Sequence, residues 1–241
     1  MDKSKLKVLV CIMVVIDLAV IGIFLGHAQI LETLGVPLSG FAKKAAIETP
    51  NRMGAIAGVK NTLSNWPPKL GENFPDVPLI DHNGHPFSLR SLFGKPTLIE
   101  FVAMTCAACE AWSGAHKYGA FENLAAQGGL DSIEKYYHQY TGGLELFDGK
   151  INFVQLIIYN SSLNIPSADD LIRWRTHFHF NEQQNVYIVT GGEALANQES
   201  FNRIPGFLLL DREGKIRFDA LGHTPIHNLY TELLPAVSSL M

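Results

Sequence analysis

Cys106 and Cys109 are separated by two alanines, a spacing at which two thiols can close into a disulfide and reopen. The pair directly follows the apolar run Thr97–Ala103, which predicts a buried strand, and precedes a stretch from Glu110 that predicts a helix. At the start of a helix, backbone N–H groups stabilise a thiolate. The Cys-x-x-Cys pattern in this setting therefore indicates redox chemistry, with Cys106 as the reactive thiol.

The composition predicts a sizeable core and no nucleic-acid partner. Apolar residues make up 47% of the 241 residues and charged residues 17%, and the formal net charge is −4; nucleic-acid-binding domains usually carry a basic excess. The third cysteine, Cys11, lies in an N-terminal apolar run. A Cys106–Cys109 bridge closes a loop of only four residues, which stabilises a fold little, so we interpret the pair as chemical rather than architectural.

The N-terminus predicts a membrane anchor. Residues 1–7 contain three lysines and are expected to form a cytoplasmic basic tail, while residues 8–26 are apolar over about one bilayer crossing. Asp17 interrupts this run, and a carboxylate in mid-bilayer is unfavourable. The small residues around Gly26-His27-Ala28 leave a cleaved signal peptide as the alternative.

The rest of the chain predicts a linker followed by one domain. Residues 27–70 are interrupted by glycines and prolines, as is typical of a spacer, whereas residues 71–241 show compact α/β patterning. A hairpin is expected around Asn83-Gly84. The further predicted strands are Leu98–Ala103, Ile151–Tyr159, Val186–Val189, Gly206–Leu210 and Ile216–Leu221, and the predicted helices are Glu110–Ala126, Leu130–Tyr140, Ala168–Phe180 and Ile226–Val237. This order indicates a mixed sheet with helices on both faces.

The domain resembles the thioredoxin fold, in the membrane-anchored extracytoplasmic branch that includes TlpA-type reductases. The matching residues, in chain order, are Asp81-His82-Asn83-Gly84, Leu98–Ala103, Cys106-Ala107-Ala108-Cys109, Ile204-Pro205 and Leu210–Ile216. The resemblance implies a thioredoxin-like α/β fold: a central mixed sheet flanked by helices, with an N-terminal hairpin, preceded by one transmembrane helix. Gly128–Lys150 is an insertion relative to a minimal thioredoxin and is either a partner-recognition element or a helical decoration.

The resemblance also implies roles for individual residues. Cys106 is expected to attack a substrate disulfide and Cys109 to resolve the mixed disulfide. Pro205 is expected to follow a cis peptide bond that faces the cysteines. A substrate groove is expected to include the following residues: Ile204, Trp112 and Thr105.

Glu100 lies six residues before Cys106 within an apolar strand. A buried carboxyl there needs a partner or must hold a proton. The resemblance implies that Glu100 takes the proton of Cys109, and the alternative is a glutamate at a strand edge that reaches solvent. Ala107 and Ala108 bring no charge or polar side chain to Cys106, so the helix terminus is expected to do most of the thiolate stabilisation.

The sequence therefore predicts a thiol–disulfide oxidoreductase that reduces exported proteins more readily than it oxidises them. We expect it to be single-pass in the inner (cytoplasmic) membrane with its catalytic domain facing the periplasm or exterior, and to need a membrane electron donor. No cofactor and no metal are expected. Two alternatives are a Sco-like copper assembly protein, with His223 as the first candidate ligand, and a thiol peroxidase. The former has Cys-x-x-x-Cys spacing, and the latter has a proline context before its cysteine that is missing here.

Overall fold

The computed structural model describes residues 66–180 and 183–241. The predicted cytoplasmic tail, membrane anchor and most of the predicted linker lie outside these residues. Within the described part of the chain, no helix combines the length and the apolar character that a bilayer crossing requires.

One mixed sheet contains the seven strands found in the described residues. In chain order they are β1 (Leu79–Asp81), β2 (Pro86–Phe87), β3 (Thr97–Ala103), β4 (Asn152–Tyr159), β5 (Val186–Thr190), β6 (Gly206–Leu210) and β7 (Ile216–Leu221). Their order across the sheet is β2-β1-β5-β4-β3-β6-β7. Strands β3, β4 and β5 are parallel, whereas β6 runs antiparallel to β3 and β7 antiparallel to β6. This is a thioredoxin-like α/β fold, so the predicted fold class is confirmed for this domain.

Six α-helices accompany the sheet in the described residues. They are α1 (Ala107–Ser113), α2 (Ala115–Tyr118), α3 (Ile133–Tyr140), α4 (Ala168–His177), α5 (Gln198–Phe201) and α6 (Leu234–Leu240). Every residue of β3, β4 and β6 is buried. Because successive side chains of a strand point to opposite faces, both faces of the central sheet must be covered. The hydrophobic runs that predicted these strands therefore reflect burial on two sides.

The predicted helix Glu110–Ala126 is wrong in its extent. Helical structure begins earlier, at Ala107, with Cys106 as the N-cap, and it breaks at Gly114 and again at Gly119. These glycines have φ angles of 104° and 90°, which lie in the region that L side chains rarely adopt. The chain therefore turns twice immediately after the cysteines instead of continuing as one helix.

The predicted closing helix Ile226–Val237 also differs from the structure. Its first helical residue is Leu229, a π-helical turn covers Leu229–Leu233, and α6 then runs to Leu240. Pro235 stands at the beginning of α6 and has no N–H to donate to a preceding carbonyl. A regular α-helical ladder cannot run through that position, which accounts for the change of helix type.

The predicted insertion is part of the packed domain. Its helix α3 is capped by Ser132, and it buries Ile133 and Tyr137. Tyr136 packs edge-on against Tyr230, which precedes α6, with ring centroids 4.9 Å apart. The segment therefore supports the C-terminal helical region.

Candidate functional site

Cys106 and Cys109 lie where β3 passes into α1. The Cys106 N–H donates to Ala103 O at the end of β3 (2.9 Å), and the Cys106 sulfur accepts a hydrogen bond from the Cys109 N–H (3.3 Å). Cys106 is half-buried, whereas Cys109 has no exposed surface and its thiol points to Phe101 O (3.8 Å). Of the two thiols, Cys106 alone is accessible to a substrate disulfide.

The two thiols differ in pKa because of their surroundings. The pKa of Cys106 is lowered, first by a hydrogen bond from the Cys109 thiol and then by the backbone N–H groups of Cys109 and Ala108, against an opposing effect of burial. The pKa of Cys109 is raised well above its usual value, first by burial and then by its interactions with Cys106 and Glu100. The Cys109 thiol is thus the largest single contribution, and two backbone N–H groups of the helix start add to it.

Glu100 lies in the middle of the sheet and not at its edge. It sits on β3 between β4 and β6, opposite Gln155 and Phe207, and has no exposed surface. Burial raises the pKa of this carboxyl well above its usual value, and a hydrogen bond from Gln155 opposes that rise. The alternative of a strand-edge glutamate reaching solvent is wrong.

The side chain of Gln155 joins Glu100 to two helices. Its Nε2 donates to Glu100 Oε2 and to Ser113 Oγ, both at 2.8 Å, and its Oε1 accepts from Trp174 Nε1 at 2.9 Å. Gln155 has no exposed surface. Sequence reasoning missed this residue, although an amide inside the apolar run Ile151–Tyr159 signals a buried polar group that requires partners.

A second buried carboxyl, Glu110, follows Cys109 directly and was also missed. Its Oε2 accepts from the Phe121 N–H (2.9 Å), and its Oε1 has no hydrogen-bond partner among the described residues. Burial raises the pKa of Glu110 to about 7, and the negative charge of Cys106 adds to the rise. The signal in the sequence was a glutamate in the first helical turn beside two thiols.

Ile204 and Pro205 directly precede β6, and the peptide bond between them is cis. Gly206 pairs with Phe101, close to the end of β3 that leads to the cysteines. Pro205 O accepts from the Gly222 N–H (2.9 Å), which holds the beginning of β6 against the end of β7. Ile204 is mostly buried, and Pro205 is half-buried.

The two other predicted groove residues differ in exposure. Thr105 is half-buried beside Cys106. Trp112 is only 9% exposed, because its ring packs against Phe207 with centroids 5.0 Å apart and its Nε1 donates to Tyr230 Oη (3.3 Å). Trp112 therefore offers little surface to a substrate in this structure.

The cavity beside His223, the candidate copper ligand, is lined by neither Cys106 nor Cys109. His223 lines a surface cavity with Arg203 and Asp219, which form an ion pair with each other (3.4 Å). His177 bonds to Gly119 O, and no group of three or more potential metal ligands occurs among the described residues.

Comparisons with known proteins give similarity of fold only. No protein-family profile and no curated protein sequence matches this chain. Similar solved structures include the thioredoxin domain of a thiol–disulfide oxidoreductase from Bacteroides vulgatus, with 17% identity, a TM-score of 0.42, and coverage of 71% of this chain and 96% of that one. A peroxiredoxin-like protein from Aquifex aeolicus shows 12% identity and a TM-score of 0.43 over 76% and 91% of the two chains.

A third similar structure is a secreted Mycobacterium tuberculosis disulfide oxidoreductase described as homologous to the Escherichia coli protein DsbE. It shares 13% identity with this chain, with a TM-score of 0.40 and coverage of 69% of this chain and 96% of that one. Since identities and TM-scores at this level carry no functional argument, the function has to be argued from the site.

The titration of Glu110 gives a prediction about stability. An unfolded chain releases this proton near pH 4.5, whereas the folded protein holds it to about pH 7. The folded state therefore binds more protons between these values, and the free energy of unfolding falls as the pH rises through them, by up to about 3 kcal/mol. Urea unfolding of the reduced protein at a series of pH values should show this fall.

Glu110→Gln keeps an acceptor for the Phe121 N–H but cannot ionise. Its free energy of unfolding should lack the decline between about pH 4.5 and 7, whatever its absolute stability. Glu122→Gln, which removes an exposed carboxyl from the adjoining segment, is the matched control and should retain the decline. If the free energy of unfolding changed with pH in the same way in wild type and Glu110→Gln, the raised pKa of Glu110 would be contradicted.

Proposed function

We propose that this protein is a thiol–disulfide oxidoreductase that acts through Cys106 and Cys109. The single observation that carries the proposal is the pairing of one accessible thiol of lowered pKa with one enclosed thiol of raised pKa, beside the buried Glu100 carboxyl. An attacking thiolate, a resolving thiol and a proton acceptor are the groups that disulfide exchange requires.

The reaction follows from these roles in two steps. The Cys106 thiolate attacks one sulfur of a substrate disulfide, the substrate S–S bond breaks, and the other substrate sulfur leaves as a thiolate. Cys109 then gives its proton to ionised Glu100 and attacks the Cys106 sulfur, which releases the second substrate thiolate and closes the Cys106–Cys109 disulfide. Two electrons pass to the substrate. Burial raises the pKa of Glu100 as well as that of Cys109, which makes the carboxylate a stronger base for the Cys109 proton than an exposed one would be.

The charges around Cys106 favour reduction of substrates over oxidation. A strong oxidant of this kind stabilises its reduced thiolate, whereas the groups that lower the pKa of Cys106 here are a neutral thiol and backbone N–H groups. The carboxyls of Glu100 and Glu110 both interact unfavourably with negative charge on Cys106. We therefore propose a reductase of exported proteins, which needs electrons from a membrane-embedded donor after each turnover.

Cysteine variants test the roles of the two thiols. Cys106→Ser should abolish reduction of insulin disulfides, because the accessible nucleophile is lost. Cys109→Ser should accumulate mixed disulfides with substrates, which are seen as adducts on a non-reducing gel. Cys11→Ser is the control and should behave as wild type in both assays. Insulin reduction by Cys106→Ser, or the absence of any adduct with Cys109→Ser, would exclude the proposed mechanism.

The reduction potential of the Cys106–Cys109 pair tests the direction. Equilibration with glutathione and dithiothreitol should give a value close to about −270 mV, as for thioredoxin, and far below the value of about −120 mV found for a strong oxidant. A value near the latter would make the protein a disulfide donor. Stoichiometric, tight Cu(I) binding by the reduced pair would favour the copper-assembly alternative.

We also propose that residues 8–26 anchor the protein in the inner membrane, with the thiols on the periplasmic or outer side. The basic residues before this segment support that orientation. In intact cells, a membrane-impermeant maleimide should label Cys106 of the membrane-bound protein, with Cys106→Ser as the unlabelled control. Labelling only after lysis would place the domain in the cytoplasm.

A further inference from the structure

The Gln155 amide has a fixed orientation. Trp174 Nε1–H can only donate a hydrogen bond, so the Gln155 atom 2.9 Å from it must be the oxygen. The amide nitrogen then faces the opposite way and uses its two hydrogens on Glu100 Oε2 and Ser113 Oγ. Trp174 on α4 thereby decides which end of Gln155 meets the carboxyl on β3.

The two possible orientations of this amide would have opposite effects on Glu100. An N–H directed at the carboxyl stabilises the ionised form, whereas a carbonyl directed at it would stabilise the protonated form, which alone can donate. The observed orientation supplies the N–H. Gln155 therefore opposes the rise in pKa that burial causes, so Glu100 ionises at a lower pH than it would without this hydrogen bond.

The same contact also distinguishes the two oxygens of Glu100. Oε2 is occupied by the Gln155 N–H, whereas Oε1 is buried without a hydrogen-bond partner among the described residues. A proton that arrives at the ionised carboxyl is therefore directed to Oε1. The ionisable groups that act on Glu100 are Cys106, the N-cap of α1, and Cys109 within that helix. The neighbouring elements β4, α4 and β6 present neutral side chains, namely those of Gln155, Trp174 and Phe207.

We propose that Gln155, oriented by Trp174, is a positioning residue that holds Glu100 as an ionised proton acceptor with Oε1 free for the proton of Cys109. The inference rests on the proposed function, since it specifies how Glu100 serves the resolution step. Neither Gln155 nor Trp174 is proposed to contact a substrate. Their effect on the reaction passes through Glu100 alone.

A stopped-flow reaction with Ellman's disulfide separates the two steps of exchange in the wild-type chain. The first thionitrobenzoate is released when Cys106 attacks, and the second when Cys109 resolves the mixed disulfide. The resolution rate should rise with pH as Glu100 ionises. Glu100→Gln should slow resolution at least about tenfold and remove this rise, because the proton acceptor is lost.

Gln155→Met removes the amide at similar volume, and with it the hydrogen bonds to Glu100, Ser113 and Trp174. Trp174→Phe keeps an aromatic ring against Phe121 and Phe178 but removes the N–H that orients the amide. Both should shift the pH dependence of resolution to higher pH, Gln155→Met by more, while the Cys106 attack rate changes less than about twofold. Tyr159→Phe is the matched control, because it deletes another buried hydrogen bond of β4, to Asn197 O, and should shift neither phase.

The double variant Glu100→Gln/Gln155→Met decides whether the effect passes through Glu100. We expect it to resolve at the rate of Glu100→Gln alone. An additional slowing in the double variant, or an unshifted profile in both Gln155→Met and Trp174→Phe, would overturn the inference. If Glu100→Gln itself kept the wild-type profile, the role of Glu100 in the proposed mechanism would fail instead. Trp174→Phe keeps the test available if Gln155→Met does not fold.

Discussion

The enclosure of the Glu100 carboxyl within the central sheet constrains the chemistry of every group around it. An ionised carboxylate in such a place is unfavourable by several kcal/mol unless donors surround it, and here Gln155 supplies one donor. The negative charge of Cys106 acts on this carboxyl, which in turn acts on Cys109. The three groups therefore titrate as a coupled unit, and a proton gained by one alters the proton affinity of the others.

The difference between the two thiols arises from the first turn of α1. Cys106 occupies the N-cap, where the chain leaves β3 and the side chain still reaches the surface. Cys109 lies three residues further along the helix, where its side chain turns inward against Phe101 of β3. Two intervening residues at the start of a helix are thus enough to leave one sulfur accessible to substrate and to enclose the other.

Much of this arrangement could be predicted from the sequence because it is local. Strands β3 and β6 lie where apolar runs indicated them, and β7 lies where the turn at Asp211–Gly214 predicted the second arm of a hairpin. Glu100 and the cysteines belong to one strand–helix unit within ten residues. The breaks at Gly114 and Gly119 were missed because the aromatic residues of this stretch recur at near-helical spacing, which favoured one uninterrupted helix; they are Trp112, Tyr118 and Phe121. Gln155 was missed because its partner Glu100 is 55 residues away, and the pairing depends on the register of β3 with β4. A single sequence does not specify that register.

The complete burial of Cys109 also has a consequence for oxidative damage. A hydroperoxide that reaches Cys106 would convert it to a sulfenic acid, and the neighbouring Cys109 thiol would condense with that group, releasing water and forming the same disulfide that turnover produces. Further oxidation to the irreversible sulfinic acid would have to compete with this intramolecular reaction. The enclosed thiol thus serves as a safeguard as well as a reactant, and it is itself out of reach of the oxidant.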